Sequence, residues 1–81
     1  MSFDFHQEVH EIEIELINNG LPDLGLLLKN SVQQGSTETE IFMELRYNLK
    51  NIKKHKLDKN LINKIDSLIK QIDKALDNQK E

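Results

Sequence analysis

Leu61, Ile65, Leu68, Ile72 and Ala75 recur at intervals of four, three, four and three residues. Only an α-helix brings positions with that spacing onto one face. Ile62, Ile69 and Leu76 flank the stripe and widen it, so this helix is expected to pack against two neighbours rather than one. Asp58 stands where a helix cap is wanted, and Leu57 and Ile62 occupy the positions of a hydrophobic staple. The spacing predicts a helix over about 59–77.

The rest of the chain must supply the helices that cover this stripe. Phe5, Val9, Ile12 and Leu16 are spaced by four, three and four, which predicts a helix over about 4–19, stopped at Asn19-Gly20. The alternation Glu11-Ile12-Glu13-Ile14-Glu15 also suits a strand, but glutamate disfavours strands and no partner strand is visible. Pro22 suits a first helical turn, with Asp23 at the positive end of the dipole. A short helix over about 22–33 follows, with Leu24, Leu27, Leu28 and Val32 as its apolar contacts and Gly25 as a weak point inside it. Gly35 breaks the chain. Thr37 and Glu40 then form a capping box that opens a helix over about 38–54, with Ile41 or Phe42, Leu45, Leu49 and Ile52 facing inward. Lys50, Lys53 and Lys54 fall in its last turns, where cations are favoured. Four amphipathic segments with short connections predict an all-α fold, a small antiparallel bundle of about four helices in one domain.

Composition narrows the function. The chain has 81 residues, 37% of them apolar and 31% charged. A core this small gains from a partner that covers exposed surface. There is no cysteine, which excludes disulfides and thiolate metal sites and fits a reducing compartment. The N-terminus lacks the basic and apolar regions of a signal peptide, and the longest apolar run, Leu26-Leu27-Leu28, is too short for a membrane span. A cytoplasmic location is expected. The net charge of −3 conceals a gradient: residues 1–28 carry −6 with no Lys or Arg, whereas residues 50–81 carry +4. Such segregation bears on partner choice and encounter rate.

Candidate chemistry is sparse. His6 and His10 share a helix face, and Glu13 is a conceivable third ligand, but Gln7 stands where a metalloprotease helix needs glutamate. Solvated histidines are the favoured reading, and no metal or other cofactor is expected. No nucleophile motif, phosphate loop or dinucleotide fingerprint is present, so an enzyme is not expected. Lys53-Lys54-His55-Lys56 reads better as dipole compensation than as a phosphate site. The second and third helices imitate a helix-turn-helix, but Glu38, Glu40 and Glu44 at the start of the would-be recognition helix would repel phosphates. Met43 and Tyr47 lie one turn apart, off the main apolar stripe. They are expected to fill a second core face; exposed, they would instead form a small anchor for a protein partner. The strongest functional signal is Asp4, Glu8, Glu11 and Glu15, spaced by four, three and four with no lysine between them. The stripe is either a solvated face or a surface complementary to a basic partner.

The stretch Gly35-Ser36-Thr37, Thr39-Glu40-Ile41, Met43, Leu45-Arg46 and Leu49 resembles a segment of small all-helical immunity proteins of bacterial polymorphic toxin systems, in particular those of contact-dependent growth inhibition. The acidic opening helix and the chain length are similar too. The resemblance implies an inhibitor that binds the C-terminal toxin domain of its own cell's system in the cytoplasm, with no direct contact to nucleic acid or membrane. Many such toxins are nucleases, some cleaving transfer RNA, and a nuclease presents a basic cleft. On that reading Glu8, Glu11 and Glu15 face the toxin, Asp4, Glu38, Glu40 and Glu44 provide rim charges, and Tyr47 is an anchor. The competing expectations are a helical adaptor or antitoxin-type binding module and, behind it, a DNA-binding regulator.

Overall fold

The computed structural model describes residues 5–78, which form four helices: α1 (Phe5–Asn18), α2 (Pro22–Gln34), α3 (Glu38–Ile52) and α4 (Lys59–Asn78). No strand occurs among the described residues. Each helix packs on its chain neighbours, α4 also packs on α1, and the backbones of the diagonal pairs α1/α3 and α2/α4 stay farther apart. The helices therefore stand in a ring, each antiparallel to the next, as short connections favour. The fold is a small all-α antiparallel bundle.

The helix ends follow from local chemistry. α1 stops at Gly20, whose φ of +79° is the one positive value among the described residues. Its N–H donates to the Ile17 carbonyl at 3.1 Å, and the Leu21 N–H reaches the Leu16 carbonyl at 2.8 Å. This pair of bonds is the Schellman closure that a left-handed glycine permits. Asp58 caps α4 by accepting from the Leu61 N–H at 2.8 Å. Thr37 Oγ1 accepts from the Glu40 N–H at 3.2 Å, but Glu40 reaches back to the Ser36 N–H at 3.0 Å rather than to Thr37. The box is thus one residue wider than the sequence spacing implies. Gly35 is extended, with φ −72° and ψ 136°. It is small for a steric reason: a Cβ here would lie 3.1 Å from Ile41 N and 3.2 Å from Ile41 Cα, and would strike the Ile41 side chain.

The core draws on all four helices. α1 contributes Phe5, Val9, Ile12 and Leu16; α2 contributes Leu28; α3 contributes Phe42, Leu45, Leu49 and Ile52; α4 contributes Leu61, Ile65, Leu68, Ile69 and Ile72. The Phe5 and Phe42 rings meet edge to face across the bundle, with centroids 5.0 Å apart. Gly25 is not merely a weak point. It is buried, and a Cβ would sit 3.2 Å from the Glu13 carbonyl oxygen, so its absence lets α2 approach the α1 backbone. One polar link crosses the interior: Asn48 Nδ2 donates to Ser31 Oγ, and Ser31 Oγ donates to the Leu27 carbonyl at 2.9 Å. No buried side-chain polar atom among the described residues lacks a partner.

Candidate functional site

The predicted contact residues fall on two opposite seams of the ring. Glu8, Glu11 and Glu15 project from α1 toward α4. Glu8 accepts from Gln71 Nε2 at 3.1 Å, and Glu15 accepts an ion-paired hydrogen bond from Lys64. Glu11 is exposed and is approached by Gln7 Nε2 at 3.5 Å. A shallow cleft of about 90 Å³ between the helices is lined by Glu8, Glu11, Ile12, Lys64 and Ser67. The acidic stripe has no lysine of its own, but α4 delivers one to it. Glu15 hydrogen-bonds the Lys64 ammonium and holds its pKa above the usual lysine value, against an opposing effect of desolvation, with the charges of Glu15, Glu11 and Asp58 adding to the rise. All three described carboxylates in the stripe thus have a partner within the molecule, Glu8 and Glu15 on α4 and Glu11, at the longest distance, on its own helix. Asp4 lies outside the described residues.

The second group lies on the α2/α3 seam. Ser31, Gln34 and Gly35 form one wall of an open groove of about 420 Å³, and Glu40, Met43 and Glu44 form the other. Glu40 is held by its cap bonds. The side chains of Glu38 and Glu44 make no hydrogen bond or ion pair among the described residues and are exposed. Met43 and Tyr47 are 59% and 68% exposed, so they do not fill a second core face. The inward stripe of α3 is already occupied by Phe42, Leu45, Asn48, Leu49 and Ile52. Met43 and Tyr47 sit about 100° away from it, beside residues 42 and 48 respectively.

Apolar exposure and ion pairing are segregated. The exposed large hydrophobics are Ile14 and Ile17 on α1, Leu26 and Leu27 on α2, and Met43 and Tyr47 on α3. Leu27, read from the sequence as an inward contact, is among them. None is on α4. Conversely, three ion pairs among the described residues each involve α4: Arg46–Asp73 at 2.6 Å, Lys53–Asp66 and Lys64–Glu15. α2 carries only Asp23 and Lys29 as charges. The α4 side is laced with charge, and the α2 side presents apolar surface.

His6 and His10 line a third cleft, between α1 and α2, together with Glu13, Lys29 and Gln33. A lysine there opposes a bound cation, and among the described residues no three His, Asp or Glu side chains are grouped to hold a metal. No helix among the described residues is long and apolar enough to cross a membrane.

Sequence reasoning missed Lys64 and Gln71 as partners of the acidic stripe, because pairs 49 and 63 residues apart leave no local signal. The Ser31–Asn48 link did leave one. Ser31 falls three residues after Leu28, and Asn48 three after Leu45 and four before Ile52, which are core spacings for polar residues on two adjacent helices.

Comparison of the chain with protein-family models, with curated proteins and with solved structures finds no match.

Proposed function

We propose that this protein is an immunity protein: a helical bundle that binds a cognate toxin domain, a nuclease of the kind that cleaves transfer RNA, and keeps nucleic acid off its basic substrate surface. The observation that carries the reading is the α2/α3 side, where Met43 and Tyr47 stand 59% and 68% exposed on the same helix face as the unpaired carboxylate of Glu44. Aromatic and thioether side chains that protrude among carboxylates suit a protein partner with basic surface. They do not suit a phosphate backbone, which the same carboxylates repel. The segment that resembles the immunity proteins, residues 35–49, supplies Gly35, Glu40, Met43 and Glu44 to this groove, and that resemblance supports the toxin as the partner. The α1/α4 seam, with Glu8 and Glu15 bonded internally, is left a supporting role through exposed Glu11.

The test is co-expression with the C-terminal domain of a large toxin-bearing reading frame lying directly upstream. The expected result is a stable 1:1 complex that survives gel filtration. Elution of the two proteins apart at micromolar concentration would count against the reading.

A further inference from the structure

We propose that the α2/α3 groove seats a lysine or arginine side chain of the partner protein; this deepens the toxin-binding reading and rests on it. The groove holds about 420 Å³ between Ser31, Gln34 and Gly35 on one side and Glu40, Met43 and Glu44 on the other. The Ser31 hydroxyl donates to the Leu27 carbonyl and accepts from Asn48, so it is already committed. Met43 supplies an apolar, adjustable wall. Glu40 is fixed in place by the Ser36 N–H, whereas Glu44 is unpaired. Among the described residues no lysine or arginine lines the groove.

That combination defines the occupant. An anion would meet two carboxylates. A purely apolar group would strip water from Glu44 without replacing it. A lysine or arginine stem is apolar while its head is cationic, so the stem packs on Met43 and the head reaches Glu44 and Glu40. Tyr47, one turn beyond Met43 and exposed, extends the same edge with a ring face that attracts a cation. The α1/α4 seam has the opposite character: its carboxylates already hold a cation, Lys64.

The experiment is an amide NMR titration of the full-length, isotope-labelled protein with a synthetic amphipathic peptide of leucine and arginine, repeated with the cognate toxin domain. The expected result with the peptide is saturable shifts at Gly35, Glu40, Met43 and Glu44. Glu44→Lys should weaken binding by about tenfold or more, and Asp23→Lys, at the end of α2 remote from the groove, by less than about twofold, as a seated charge differs from a distant one. Both positions are exposed, and an unchanged thermal melt confirms that the variants fold. Shifts centred on Glu8, Glu11 and Glu15, or peptide binding indifferent to Glu44→Lys, would overturn the groove. So would shifts at the groove on dilution without peptide, which would show that a second copy covers it. Toxin binding by wild type and Glu44→Lys alike sinks the groove and leaves the immunity reading standing. Peptide binding at the groove without any toxin binding does the reverse.

Discussion

Gly20 and Gly35 both close helices, and for different physical reasons. Gly20 has a φ of +79° and open space where a Cβ would go, so Gly20→Ala should cost about 1–2 kcal/mol through backbone strain alone. Gly20→Asn should recover part of that loss, because asparagine tolerates the left-handed region. Gly35 has ordinary dihedrals but sits against the Ile41 backbone. Gly35→Ala should cost about 1–3 kcal/mol by overpacking, and Gly35→Asn should recover nothing. Denaturant melts of the four variants separate the two causes. The chain sequence marks both glycines as breaks but does not tell them apart: a turn signal reports that the chain bends, not which atoms come close. Leu68, fully buried in the α4 stripe, was legible from spacing alone. Leu68→Asp should abolish the cooperative melt, since an unpaired carboxylate would be buried there; a melt like that of wild type would contradict the packing.

At the scale of elements, the apolar periodicity of α4 and of α1 made the bundle readable, because each stripe needs neighbours and only helices were on offer. What periodicity does not convey is how polar groups on different helices pair. Ser31 and Asn48 are 5% and 7% exposed and tie α2 to α3. Ser31→Ala strands the Asn48 amide and should cost about 1–3 kcal/mol, whereas Ser31→Ala combined with Asn48→Leu should cost less than the sum of the singles. Strict additivity in that double-mutant cycle would show that the two side chains act independently. The α4 ion pairs are exposed, and pairs of that kind contribute only about 0–1 kcal/mol each, so they serve registry and solubility more than stability. Lys64 gives a pH test with a definite sign. Its pKa is raised in the folded state by Glu15, so the stabilisation is fully present below the unfolded lysine pKa. It is lost as pH rises through the higher folded value. Glu15→Gln should bring the Lys64 titration, followed by side-chain NMR, back down toward the ordinary lysine value of 10.5; an unmoved midpoint would contradict the pairing.

For the molecule as a whole, the ring of helices separates what the linear sequence placed side by side. Glu8, Glu11 and Glu15 on one seam and Glu40, Met43 and Glu44 on the other cannot both lie at the centre of one small contact. The sequence showed the acids but not their partition, because the azimuth of a helix about the bundle depends on contacts from every other helix. The partition moves the candidate contact from α1 to the α2/α3 side, where exposed Met43 and Tyr47 coincide with the unpaired carboxylate of Glu44. An inhibitor that acts there by covering a basic substrate surface must act stoichiometrically, and long-range attraction should make its capture rate fall with salt. The direct measurement is cleavage of transfer RNA by the cognate toxin domain as this protein is titrated in. Cleavage should fall linearly and stop at one equivalent, with Glu44→Lys needing a large excess for the same effect. Undiminished cleavage in the presence of several equivalents of the folded wild-type protein would contradict the proposed inhibition.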